Sequence, residues 1–63
     1  MEAGWIKIYE STDDISAELL RQRLEEEGIY AVVLSHRDSE LGIGDVELYV
    51  HESNRDAAMK LIP

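Results

Sequence analysis

A chain of 63 residues with no cysteine has to hold itself together without disulfides. A domain this short buries only about 60% of the surface its unfolded chain exposes. A single core of this size seldom yields more than roughly 3–5 kcal/mol of net stability. Cysteine-based zinc sites are closed to the chain for the same reason as disulfides. What remains is one well-packed core, which raises the expectation that the chain also leans on a second copy or a partner. The length suits one domain, residues 1–63.

Charge narrows the choice of partner. Lys and Arg number 6 against 14 Asp and Glu, so the formal net charge is 6 − 14 = −8. Affinity for nucleic acid comes mainly from Lys and Arg that neutralise phosphates. A chain this acidic is repelled by that backbone and by anionic membrane surfaces. Neither is expected as a partner. No stretch approaches the ~20 apolar residues of a membrane span. The start, Met1-Glu2-Ala3-Gly4, lacks the basic region and apolar run of a signal peptide. A cytoplasmic location is the expectation.

Periodicity then divides the chain into elements. Trp5 to Glu10 alternates and is rich in β-formers, which predicts a strand with Ile6 and Ile8 on one face and Trp5, Lys7 and Tyr9 on the other. Ser11-Thr12-Asp13-Asp14 opens a helix, with Ser11 or Thr12 as the cap. The helix runs to Glu27, where Gly28 supplies a left-handed ending. Its best apolar stripe is Ala17, Leu20 and Leu24; Ile15 and Leu19 fall to one side of it. Ile29 to Ser35 reads as a second strand of ambiguous parity. His36 to Gly44 is a loop, and Asp45 to Val50 a third strand with Val46, Leu48 and Val50 on one face. Ser53 followed by Asp56 resembles a capping arrangement for a second helix reaching Ile62, with Ala57, Ala58, Leu61 and Ile62 on one side.

Two amphipathic helices need one face of a sheet to cover. The expected fold is α+β, strand–helix–strand–strand–helix, with sheet order one–three–two and both helices on one face. Strands one and three are expected side by side and parallel, strands two and three as an antiparallel hairpin. This is a ferredoxin-like arrangement lacking the fourth strand. The sequence ends at Pro63, so strand one is expected to present an unpaired edge, guarded only by Lys7. The face away from the helices would carry Trp5, Tyr9 and Tyr49.

The Trp5–Tyr9 strand, the Ala17-Glu18-Leu19-Leu20 run, Leu24-Glu25, Glu27-Gly28-Ile29, Val46 to Val50 and Asp56-Ala57-Ala58 together resemble a small bacterial family described as putative signal-transducing protein, a domain of unknown function. The resemblance spans nearly the whole chain. It implies a signalling role and a distant likeness to the PII nitrogen-regulatory fold. It implies no catalytic residue, because none belongs to the pattern. The loop from His36 to Gly44 is short for the family, and the long ligand-clasping loop of PII proteins has no counterpart.

Few residues carry chemistry of their own. His36 and His51 flank the hairpin, and antiparallel pairing should set them at opposite ends, so no shared metal site is expected. Ser35, His36, Asp38 and Ser39 are too close in sequence to converge as a triad, and turn chemistry explains them. Gly42-Ile43-Gly44 precedes a strand, whereas phosphate loops precede a helix. Glu25-Glu26-Glu27 opposes the helix dipole, partly offset by Arg21 and Arg23 four residues before a Glu. It reads as a solvated helix end or as a patch for a basic partner.

Sheet aromatics stack bases in RNA-binding domains of similar topology, but those domains supply basic residues alongside, and here only Lys7 is evident. Burial against protein suits Trp5, Lys7, Tyr9 and Tyr49 better. The chain therefore reads as a non-enzymatic regulatory or protein-interaction module without a cofactor, self-associating as a homodimer or larger through its first strand and aromatic sheet face. The alternative is a small-ligand sensor whose ligand sits by the loop residues His36, Arg37, Gly42 and Gly44.

Overall fold

The computed structural model describes residues 3–36 and 45–62. Strands β1 (Trp5–Ser11), β2 (Ala31–His36) and β3 (Asp45–His51) form one sheet. Helix α1 (Asp14–Glu26) joins β1 to β2, and a 3-10 turn (Glu52–Asn54) leads from β3 into α2 (Arg55–Met59). The sheet order is β1-β3-β2, as the sequence predicts.

One expectation about direction is corrected. β3 runs antiparallel to β1 as well as to β2. The hairpin reverses the chain between β2 and β3, and the α1 crossover brings β2 back in the direction of β1. A third strand inserted between those two must oppose both.

The first strand contains a second correction. Its register against β3 slips between Lys7 and Tyr9: Ile6 pairs with Val50 and Lys7 with Tyr49, but Tyr9 pairs with Leu48 and Ser11 with Val46. Ile8 is the extra residue of a β-bulge, which turns neighbouring side chains toward the same side. Ile8 and Tyr9 both pack against the core. Simple alternation had put Tyr9 beside Trp5; the bulge moves it to the helix side.

Helix α1 is capped by Asp13, whose Oδ1 accepts from the Ile15 amide at 2.9 Å and whose Oδ2 accepts from the Ser16 hydroxyl at 2.7 Å. Those bonds, the hydroxyl first, hold its carboxyl below the usual carboxylate range. Ser11 is not the cap, because it still belongs to β1; its hydroxyl accepts from the Asp13 amide at 3.0 Å. The helix closes one residue earlier than expected. The Gly28 amide donates to the Glu25 carbonyl and the Ile29 amide to the Leu24 carbonyl, both at 2.9 Å, around Gly28 at φ 80°. This is a Schellman ending, with Ile29 packed in the same cluster as Leu24. It delays β2 to Ala31, since Ile29 spends its amide on the helix.

The second helix is much shorter than expected. His51, not Ser53, caps the turn after β3, and Asn54 at the start of α2 makes no side-chain cap bond. Ala58 is fully buried but Ala57 is exposed. Leu61 and Ile62 pack against the core from beyond the helix.

The core lies between the helices and one sheet face. Ala17, Leu20 and Leu24 of α1, the predicted stripe, are buried, as are Ala31, Val46, Leu48 and Val50 of the sheet, and Leu20 and Leu24 share one cluster with Ala31, Leu48 and Val50. Leu24 and Leu48 are completely excluded from water. Truncating Leu24 to Ala should cost about 2–5 kcal/mol through lost transfer energy and an unfilled cavity. Against a total of a few kcal/mol, urea denaturation of Leu24→Ala should find the chain largely unfolded without denaturant.

Candidate binding face

Pairing partners across the sheet show which side chains share the helix-free face. Trp5 lies opposite His51, Lys7 opposite Tyr49, and Glu10 opposite Glu47. Val32 lies opposite Tyr49 and Leu34 opposite Glu47 on the other side of β3. The parity of β2 is thereby settled: Ala31 and Val33 go inward with Val50 and Leu48, and Tyr30, Val32 and Leu34 outward. A sequence signal pointed to this. The Schellman ending needs Ile29 in the core as the apolar partner of Leu24, and alternation then carries Ala31 and Val33 inward with it.

One end of the face is an aromatic row that joins Trp5 of β1 and His51 of β3 to Tyr30, the residue just before β2. The Trp5 ring stands edge-to-face with Tyr30, centroids 5.8 Å apart at 79°, and with His51, 6.0 Å apart at 85°. Each such pair contributes about 0.5–1.5 kcal/mol beyond area burial. Tyr30 nevertheless remains 68% exposed.

His51 is pinned from behind. Its Nδ1 accepts from the Ser53 amide at 3.2 Å and lies 2.8 Å from the Ser53 hydroxyl. Gly4, at φ 96°, passes directly over the ring, where an added Cβ would come 2.7 Å from Nε2. The Gly4 carbonyl accepts from the Glu52 amide at 2.6 Å, which ties the start of the chain to the end of β3.

The middle of the face is polar but neutralised locally. Lys7 Nζ lies 3.0 Å from Glu10 Oε2 and 3.3 Å from Glu47 Oε2. It sits between two carboxylates that would otherwise repel across the β1–β3 pair. Glu10 first, then Glu47, holds the ammonium above its usual value. The Tyr49 hydroxyl donates to Glu47 Oε1 at 3.2 Å, and burial, then Glu47, pushes its phenol up. Lys7 is thus engaged and does not stand out as a cation for a phosphate.

Of the residues singled out in the sequence, Trp5, Lys7 and Tyr49 come together on this face. Tyr9 lies on the other side. The histidines are at opposite ends of the β2–β3 pair, as expected: His51 ends β3 and pairs with Trp5, and His36 ends β2 and pairs with Asp45. Arg37, Gly42 and Gly44 lie outside the described residues. Tyr30, Val32, Leu34 and His51 were not among the predicted site residues. They join it because β2 and β3 bring them into line with Trp5 and Tyr49.

On the helix side, Tyr9 lines an open groove of about 320 Å³ with Ser16, Leu19, Leu20 and Arg23 of α1. Ile15 and Leu19 stay 70% and 60% exposed. The opposite flank of α1 carries Arg21, whose guanidinium bonds to Glu18 and reaches Glu25 at 2.6 Å. Arg21 keeps the Glu18 carboxyl below its usual range. Among the described residues no group of three or more His, Asp or Glu could hold a metal ion, and no helix is long and apolar enough to cross a membrane.

Comparison with known proteins gives a family. A family model described as putative prokaryotic signal transducing protein matches residues 5–63. No curated protein and no solved structure matches the chain.

Because a Cβ at position 4 would collide with the imidazole, Gly4→Ala should displace His51 from Ser53 and from Trp5. The expected result is a lower melting temperature together with a shift in Trp5 fluorescence emission; an unchanged emission spectrum would contradict the proposed packing.

Proposed function

We propose, since the chain belongs to the family described as putative prokaryotic signal transducing protein, that it acts by protein contact and self-association rather than by catalysis, and that the contact surface is the helix-free sheet face. The observation that carries this reading is the row of Trp5, His51 and Tyr30. It is an aromatic cluster with an exposed Tyr at its edge, continued by Val32, Leu34 and Tyr49. Surfaces that bind protein are enriched in Trp and Tyr, which supply large contact area at little entropic cost. The sole cation that β1 brings to the face is already paired with Glu10 and Glu47, which fits a protein partner better than a nucleic acid. Nothing in this reading needs a cofactor.

Trp5→Asp should lower the oligomer mass measured by light scattering, because it removes the ring that orders the row and puts a charge in its place. A mass equal to that of the wild type would count against the reading.

A second reading is favoured by the groove beside Tyr9. Arg23 and Ser16 give it polar groups on an apolar floor of Leu19 and Leu20, which suits a small molecule with a carboxylate and an apolar body. In that case the chain is a small-ligand sensor. Thermal-shift measurements with amino acids and nucleotides should then show a rise in melting temperature that Arg23→Ala abolishes. No rise with any of them would remove the support for this reading.

A further inference from the structure

The sheet has two outer strands, and they are not alike. Among the described residues neither β1 nor β2 has a strand on its outer side. β1 is defended in the ways that natural edge strands are: a bulge at Ile8 interrupts its ladder, and Lys7 and Glu10 place charges along it. β2 has no such defence. Its pairing with β3 runs unbroken from Ala31 to His36, and Ala31-Val32-Val33-Leu34-Ser35 holds no ionisable side chain and no proline. A flat, apolar, uncharged edge is the kind that templates another strand.

We infer that two copies of this chain join edge to edge through β2, antiparallel about a two-fold axis. The inference rests on the self-association proposed above, and adds the seam and the identity of the partner.

Self-complementarity about Val33 points to a second copy as the occupant, and the missing charge on Ala31–Ser35 makes β2 the edge where two copies can meet. Each chain carries a net charge of −8, so two copies repel wherever their acidic surfaces approach. β2 offers a line of contact on which no like charges meet. A basic partner, by contrast, would find no counter-charge on Ala31–Ser35. Centred on Val33, the pairing sets Val32 opposite Leu34 of the second copy and Ala31 opposite Ser35. Val32 and Leu34 lie on the open face, so two apolar cross-strand pairs form there and the two aromatic faces become one surface. The flank of α1 on the β2 side has its acids partly compensated, because Arg21 bonds to both Glu18 and Glu25.

The difference between the edges also explains closure. Two open edges would let copies add without end. One open and one defended edge limits edge-to-edge growth to a closed, isologous pair and leaves the joined sheet faces free for the contact proposed above.

The test is sedimentation of the full chain with charges placed on the seam. Val32→Lys combined with Leu34→Lys sets like charges opposite each other and should raise the dimer dissociation constant about tenfold or more. Val32→Lys combined with Leu34→Glu sets opposite charges across the same register and should restore most of the affinity. This rescue separates a lost seam from a damaged fold. Wild-type chain that sediments as a single copy at every concentration would overturn both this inference and the self-association it rests on. A dimer that Trp5→Asp weakens but the paired lysines do not would overturn the seam alone. Amide exchange on the wild type reads the same seam without substitution. Protection should grow with concentration in Ala31–His36; growth in Trp5–Ser11 instead would overturn the assignment.

Discussion

β3 is hydrogen-bonded on both sides, and its Val46, Leu48 and Val50 are almost completely removed from water beneath α1. That burial is the constraint on which the other features depend. It supplies three of the four largest fully buried side chains, and each such side chain contributes about 1.5–3 kcal/mol against the entropy of ordering the backbone. It also sets the parity of both neighbours. Once Val50 points at the core, Ile6 and Ala31 must do so too, and Tyr49 and His51 must point away with Lys7 and Trp5.

The bulge at Ile8 is the one departure from that regularity, and it acts at two places. On the helix side it turns Tyr9 into the groove beside Ser16, Leu19 and Arg23. On the pairing side it breaks the flatness of β1, which together with Lys7 makes that edge a poor template. An extra residue in one strand thus decides both where an aromatic ring sits and which edge stays available. The aromatic row at the other end has a different support. It depends on Gly4, whose missing side chain leaves room for the His51 ring, and on Ser53, which holds that ring from the far side.

The chain belongs to a family described as putative prokaryotic signal transducing protein, and the reading proposed for it is a surface that works by contact. The charges are arranged accordingly. Lys7 is held by Glu10 and Glu47, and Arg21 by Glu18 and Glu25, so basic groups are spent on internal order. The acidic excess keeps most of the surface from meeting a like surface, and this sharpens the contrast with the uncharged stretch of β2.

Element order, the sheet order and the buried stripe of α1 were legible in the amino-acid sequence. Each rests on local periodicity or on a residue such as Gly28 whose conformational freedom is its own. The family was legible for the same reason, since its motifs are those same elements. The direction of β3 relative to β1, the bulge at Ile8 and the early end of α2 were decided only in three dimensions. Ile6, Lys7, Ile8 and Tyr9 alternate perfectly as letters, and nothing local marks the extra residue. Register is a property of two strands, fixed by how Leu48 and Val50 pack between β1 and the helices, and a single strand's pattern does not contain it.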